Sequence, residues 1–384
     1  MNKRTEYHPK DILRHVQHVA DYYGFLPFSS LTQAKQGTHI KHEPYQNVFA
    51  KEKLDPMAQL TVAFLKRVRS AGLKPSIQQP LFVWHTNITP GRTAPKQSFI
   101  QFHAIGVPHV IAEAVLLHAT NTLIRNVYKS EPTIRLNSIG DKETRVRFTK
   151  ELEQYFQKND GDEIPQECML QAKHGVFSGA EALVARHCAD TMPQSINVLS
   201  EASRRHLENL IELLEETKLS YTLASDLITH ENAWSETCFE IQVDDERAAW
   251  GSRYEHITKS FFDIALPSVV MIVRLYVKPV LVVAKQKRKS PIFIFIHIGI
   301  EAKRISIMFA QEFQKAHLPL LQMIGVESLT EQIRIAETLH PQYLLIMGRK
   351  EALEETVILR HCSSYTETIL PLDTLVQTIK EMVQ

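Results

Sequence analysis

A charged, proline-ended run, KQKRKSP (Lys285 to Pro291), divides the chain into two stretches of different rhythm. After it, apolar runs of strand length alternate with amphipathic runs of helix length. IFIFIHIGI (Ile292 to Ile300) is apolar almost throughout, as a strand covered on both faces should be. From Glu301 to His317, Ile305, Met308, Phe309 and Phe313 recur on one helical face. Leu318 to Ile324 reads as a second strand. Ser328 and Glu331 have capping-box spacing at the head of a helix from Leu329 to Leu339. Tyr343 to Met347 and Thr356 to His361 read as further strands, and Leu372 to Val383 as a closing helix. This order predicts a compact α/β layer with parallel strands.

The residues before the run lack that alternation. Asp11 to Tyr23, Pro56 to Ala71, Ile111 to Tyr128, Arg145 to Phe156 and Glu201 to Thr217 have helical character. Pro80 to Trp84, Ser98 to Phe102, Thr133 to Leu136, Thr237 to Val243 and Ser268 to Val273 are strand-like. Strands parted by turns and helices, with no βαβ repeat, predict an α+β domain with an antiparallel sheet. The expected organisation is a first domain over 1–284 with a helical insertion at about 142–225, a linker at 285–290, and an α/β domain over 291–384. The chain's 384 residues suit two or three domains, at about 100–200 residues each. The basic linker could touch nucleic acid, but short charge runs are usually solvated surface.

Composition removes several function classes. There are only 13 glycines, and neither GxGxxG nor GxxxxGK[ST] occurs, which argues against a Rossmann or P-loop nucleotide site. Net charge is +1 with histidines neutral, so any nucleic-acid partner must use a local patch. The four cysteines are scattered with no CxxC, which predicts a reducing compartment and no zinc ribbon. The N-terminal residues lead into no apolar signal core. The apolar stretch Pro267 to Ala284 is interrupted by Arg274, Lys278 and Pro279, so no membrane span is expected. A cytoplasmic protein is the natural reading.

One decapeptide is more specific. LNSIGDKETR (Leu136 to Arg145) is a strand end, a Ser-Ile-Gly turn and an acidic first helical turn. With its neighbours it resembles histidyl-tRNA synthetase, whose class II catalytic domain carries a very similar turn. His8 to Phe28 resembles that family's motif 1 helix. Gly91 to Gly106 (GR…FIQFHAIG) resembles the motif 2 loop and return strand, and Leu227 to Glu240 the second histidine-recognition segment. GSRYE (Gly251 to Glu255) resembles the turn before motif 3, and the block from Ile292 the anticodon-binding domain. The resemblance implies a class II synthetase-like antiparallel sheet domain followed by an α/β anticodon-binding-type domain.

The departures from the family pattern bear on chemistry. The motif 2 arginine and glutamate fall on Trp84 and Thr86, and the return-strand glutamine on Ala104, while Phe102 and His103 are kept. The loosely aligned segment LDPMAQ (Leu54 to Gln59) puts Met57 where a glutamate is expected. The histidine segment has Thr229, Asn232, Ala233 and Trp234 in place of arginine, aspartate and tyrosines. Motif 3 becomes PSVVMIVRLYVK, with no glycine and no glutamate. Val277 falls at the ATP-stacking arginine, and Arg274 reaches that place only if a helix shifts by about one turn. Adenylation needs fixed cations around the α-phosphate, and one lost donor of this kind typically costs about 10²–10³ in rate. Trp84, Thr86, Arg92, Gln101, His103, Thr229, Asn232, Trp234, Arg253 and Arg274 are therefore positions of a remnant substrate pocket, with no intact catalytic set expected.

Bland roles compete at each retained residue. His103 suits a hydrogen-bonded strand histidine, Arg92 a solvated loop charge, and Arg253 a clamp on backbone carbonyls. His15 and His18 lack an evident third metal ligand. Asp160, Asp162 and Glu163 lack the downstream glutamate of a calcium loop. No metal site is expected. The leading expectation is a catalytically degenerate histidyl-tRNA synthetase-like protein acting by binding tRNA or a protein, with no cofactor. The alternatives are a divergent active histidine–tRNA ligase using ATP and Mg²⁺, and an interaction subunit with neither ligand. From Pro291 onward eight Lys/Arg face eleven Asp/Glu, which counts against strong phosphate contact there. A homodimer is expected through the helix near the N-terminus, because Ile12, Val16, Val19, Tyr22, Tyr23, Phe25, Leu26 and Phe28 would otherwise be exposed.

Overall fold

The computed structural model describes residues 5–33, 54–158, 192–228, 233–283 and 291–383. The linker at 285–290, the acidic loop around Asp160, and the candidate residues Thr229 and Asn232 lie outside the described residues. The first part of the chain runs α1 (Pro9–Tyr23), β1 (Leu26–Pro27), α2 (Phe28–Gln33), α3 (Pro56–Ser70), β2 (Leu81–Thr86), β3 (Gln97–Ile105), α4 (Ile111–Tyr128), β4 (Thr133–Gly140) and α5 (Lys142–Lys158). It continues with a 3-10 turn at Ser195–Val198, then α6 (Glu201–Glu216), β5 (Thr222–Leu223), β6 (Ser235–Val243), β7 (Glu246–Arg253), α7 (Glu255–Phe262) and β8 (Ser268–Tyr276).

These strands form an eight-stranded sheet in the order β1-β2-β3-β8-β7-β6-β4-β5. It is antiparallel except at its rims, where two-residue β1 and β5 join β2 and β4 in parallel. Period-2 alternation sends side chains to two faces, and both are covered. Phe82, Trp84, Ile100, Phe102, Ala104, Met271 and Val273 join the core of α1, α4 and α6. Val83, Ile105, Cys238, Trp250, Val270 and Ile272 join a second core with α3 and α7. Burial on both faces explains why Ser268–Tyr276 reads as a near-continuous apolar run.

That run corrects one expectation. It is one straight strand, so Arg274 sits opposite Phe99 of β3 and no helical shift can move it into another register. Val277 follows directly, bridged to Tyr7. GSRYE joins the end of β7 to α7, and that helix stands between it and the strand Ser268–Tyr276. The sequence pattern there was masked by Gly251 and the alanines of ERAAWGSR, which carry little strand signal.

The second part runs β9 (Phe293–His297), α8 (Ile300–Lys315), β10 (Leu320–Gln322), α9 (Leu329–Leu339), β11 (Tyr343–Met347), α10 (Arg349–Leu353), β12 (Thr356–His361), β13 (Glu367–Pro371) and α11 (Leu372–Val383). Its sheet order is β10-β9-β11-β12-β13. β10, β9 and β11 are parallel, but β12 and β13 are antiparallel, so the sheet is mixed rather than all parallel. A parallel return needs a crossover of about a dozen residues. The five-residue α10 cannot supply one, and the chain turns back beside β11.

The two sheets share a packed seam. Helix α1 starts with Pro9 at its first position and ends at Gly24 in the left-handed region (φ 75°), where an αL cap favours glycine. A Cβ on Gly24 would lie 2.8 Å from the backbone nitrogen of Ile324, so glycine also lets the second part approach. Tyr22 Oη donates to the Leu318 carbonyl at 2.6 Å. Arg304 of α8 donates from Nε and Nη2 to the Glu216 carboxylate of α6. The apolar face of α1 is consumed here. Ile12, Val16, Val19, Tyr22, Tyr23, Phe25 and Phe28 are all buried within one chain, and only Leu26 of that set is exposed. The surface argument for a dimer therefore does not hold.

Candidate functional site

The face of the large sheet under α3 carries His103, whereas its neighbour Phe102 projects to the opposite core. Alternation along β3 puts Gln101 and His103 on it, with His85 of β2 beside Gln101 in the ladder. His103 is wholly buried, and both ring nitrogens are engaged: Nδ1 with Tyr254 Oη at 2.9 Å and Nε2 with Gln101 Oε1 at 3.1 Å. Its ring stacks on Phe64 of α3 with centroids 4.1 Å apart. Burial, with a smaller push from His85, holds its pKa well below the usual histidine value, so the ring is neutral. Gln101, Phe64, Trp234, Tyr254, Val270 and Ile272 are all nearly solvent-free, so side chains fill the space over the sheet at His103.

Helix α3 is the cover, and the sequence says why it starts where it does. Asp55 is its N-cap, with Oδ1 accepting from the backbone nitrogens of Met57 at 2.6 Å and Ala58 at 2.8 Å. The other oxygen, Oδ2, accepts from the indole Nε1 of Trp234 at 2.8 Å. The LDPMAQ segment is thus the start of the helix expected from Pro56, clamped to Trp234. Trp234 packs edge-to-face on Trp250 at 4.7 Å.

The cations around this face have partners. Arg135 bonds Asp226 and Glu240, and Arg247 lies 3.6 Å from Glu240. Arg274 Nη2 donates to the Arg247 carbonyl at 3.2 Å. Arg67 of α3 donates to the His85 ring and lies over Phe28, 5.0 Å from its centroid. Burial first, then Arg67, lowers the His85 pKa to about 4, which leaves a lone pair to accept that bond. Among the described residues of this face, each of these cations therefore already meets a carboxylate, a carbonyl or an aromatic ring.

The other predicted residues lie elsewhere. Trp84 and Thr86 point to the opposite face, where Trp84 joins the core with Phe102 and α4. The Thr86 hydroxyl accepts from the Ile88 nitrogen at 3.2 Å. Arg92 is exposed on the β2–β3 loop, whose Gly91 and Ala94 nitrogens donate to the Val282 and Val280 carbonyls. Arg253 is 3% exposed and donates to the Val107 and His109 carbonyls, as a backbone clamp should. It also forms a two-pronged pair with Glu113 of α4, at 2.5 and 2.7 Å. Glu113 is fully buried and further bonded to His206 at 2.7 Å and Thr237 at 3.3 Å. Burial alone would raise the Glu113 pKa, but Arg253 and His206 together drive it far below the carboxylate range. Sequence reasoning missed Glu113, because nothing in HVIAEAVLLHA distinguishes a buried glutamate from a solvated one. Gln101 and His103 are therefore brought together with Trp234 under α3, while Trp84, Thr86, Arg92 and Arg253 are not.

An eight-stranded, largely antiparallel sheet with helices on both faces, followed by a smaller mixed sheet with its own helices, makes an α+β protein of two sheets, the arrangement that the sequence resemblance implies. The sequence is similar to histidine–tRNA ligases. The one from Fervidobacterium nodosum is 22% identical over 299 residues, covering 75% of this chain and 71% of that one. The one from Blochmanniella pennsylvanica is 24% identical over 322 residues, covering 75% and 70%. The structure of apo S. aureus histidyl-tRNA synthetase aligns over 98% of this chain and 99% of that one, with 14% identity and a TM-score of 0.47. No family model matches the chain. No described helix is long and apolar enough to cross a membrane.

Proposed function

We propose that this histidyl-tRNA synthetase-like chain acts by binding, tRNA or a protein, and does not form histidyl-adenylate. The observation that carries this is His103. Its imidazole is bonded on both nitrogens and stacked under Phe64, on the face where the family resemblance places the substrate. Adenylation needs preorganised cations aimed at the phosphates. Arg135, Arg247 and Arg253 are instead committed to Glu240 or Glu113, and the strand positions of β2 on the His103 face carry Val83 and His85, neither of them a fixed cation. The test is ATP–pyrophosphate exchange with each amino acid, run beside a tRNA-binding assay. Binding without exchange is expected. Histidine-dependent exchange would overturn the reading.

Arg67 favours one second reading, a divergent active ligase. It sits at the rim of the same face, and its guanidinium meets two uncharged rings, His85 and Phe28, and no carboxylate among the described residues. In that reading Arg67 would hold the phosphate of ATP, with Mg²⁺ as the metal ion. Exchange activity abolished by Arg67→Ala would support it.

A further inference from the structure

The seam between the two sheets holds a cavity of about 560 Å³, bounded by α1, the outer end of α4, the end of α6 and the end of α8. None of the substrate-pocket candidates above lines it. Its volume lies in the range of small-ligand sites, about 300–1,000 Å³.

The floor is polar and fixed. His118 is 3% exposed, and its Nε2 donates to Thr217 Oγ1 at 2.8 Å. That hydroxyl in turn donates to the Leu213 carbonyl at 2.7 Å, which sets the tautomer. Gln311 of α8 donates to the Thr217 carbonyl at 3.1 Å and lies 3.3 Å from His118 Nδ1. The chain of bonds ties both sheets to the cavity floor. Asn121, 8% exposed, adds an amide to the wall.

The walls are cationic. Lys218 and Lys315 line the cavity and form no ion pair among the described residues. Arg125 lines it too, bonded to Glu131, which is the one acid among the lining groups. His15, His18 and His317 complete the rim. The histidines do not close on a metal, since among the described residues no three His, Cys, Asp or Glu side chains are grouped to hold one.

We propose that this cavity binds a compact anion carrying two or more adjacent phosphate groups. Two unpaired ammonium groups, a polar amide wall and imidazoles able to donate match such a ligand, and each additional phosphate oxygen gains a charge-assisted bond. A monocarboxylate would leave most of these donors unused. The phosphates could belong to a small molecule or to a nucleic-acid backbone, and the experiment separates the two.

The full chain is titrated with inorganic tripolyphosphate, with single phosphate, and with tRNA, by calorimetry at low salt. Tripolyphosphate is expected to bind one to one, at least tenfold tighter than phosphate, and to raise the melting temperature. The double variant Lys218→Asn, Lys315→Ala is expected to weaken it tenfold or more. Both lysines are exposed, and asparagine tolerates the left-handed backbone at position 218 (φ 55°), so the variant should fold. Lys350→Ala serves as the control. If tRNA binding is also weakened by the double variant and competed by tripolyphosphate, the phosphates come from the nucleic acid. If only tripolyphosphate responds, they come from a small molecule. Tripolyphosphate that fails to bind, or that binds the double variant as tightly as the parent, would overturn the proposal. Catalytic assays are separate from this readout, so its failure leaves the binding function above untouched.

Discussion

The Asp55 carboxylate holds Trp234 and the first turn of α3 at once, one oxygen to the indole and the other to the helix nitrogens, across 179 positions of sequence. The cover over His103 is therefore fastened at its end by a single side chain. Asp55→Ala removes a cap, typically worth about 0.5–2 kcal/mol, and leaves a buried indole N–H unsatisfied, at about 1–3 kcal/mol. Urea unfolding should show a loss of about 1.5–5 kcal/mol by adding those two effects. Trp234→Phe keeps the cap and removes the indole donor together with part of the ring, so its cost is the lost bond and packing, and the double variant should be less than additive, because the two residues share the bond.

A larger loss is expected at Arg253. Removing one partner of a buried pair strands the other charge, at about 3–5 kcal/mol. Glu113 is fully buried with Arg253 as its strongest partner, so Arg253→Met should lower solubility or the melting temperature sharply. Pairing it with Glu113→Leu should recover much of the loss, since no charge then remains buried. A double variant as unstable as Arg253→Met would show that the carbonyl bonds to Val107 and His109, rather than the charge, dominate.

Much of this architecture was legible in the sequence. The rhythm change at Lys285 and the long runs Ile111–Tyr128 and Ile292–Ile300 rest on hydrophobic period, which packing reinforces. The LNSIG turn was readable because Gly140 needs its left-handed backbone (φ 65°). Face assignment was not. A motif count cannot tell that Trp84 and Gln101 project to opposite sides of a sheet, because that depends on strand register. The covered α1 face was misread for a related reason, because its partner residues, Leu318 and Ile324, lie some 300 positions away. Nor could periodicity reveal that Asp55 and Glu113 have buried partners.

Burial of α1 within the chain changes what a charge on it would do. Tyr23 is 2% exposed, and its hydroxyl lies 3.3 Å from Thr122 of α4. Tyr23→Glu should unfold or aggregate the chain rather than convert a dimer to a stable monomer. Circular dichroism and sedimentation on the same sample decide this. A well-folded variant with halved mass would restore the interface reading.

The last expectation concerns acid. His103, His118 and His297 are fully or almost fully buried, and His85 largely so, and burial lowers the pKa of each. The values are about 4 for His85 and about 3 for His118 and His297. The unfolded chain binds these protons below about 6.5, the ordinary histidine value, while the folded chain does not. Stability from these groups is therefore complete above about pH 6.5 and declines as pH falls toward the folded values. Each contributes a slope of up to about 1.4 kcal/mol per pH unit in that window. Urea midpoints should thus drop steeply between pH 6.5 and 4, well before Glu113 can protonate. His297 tests the cause, since neither ring nitrogen has a hydrogen-bond partner among the described residues. His297→Leu should flatten the slope by about one proton and cost little at pH 8, because no bond is lost. An unchanged slope would mean that His297 is protonated in the folded chain and that its burial is compensated some other way.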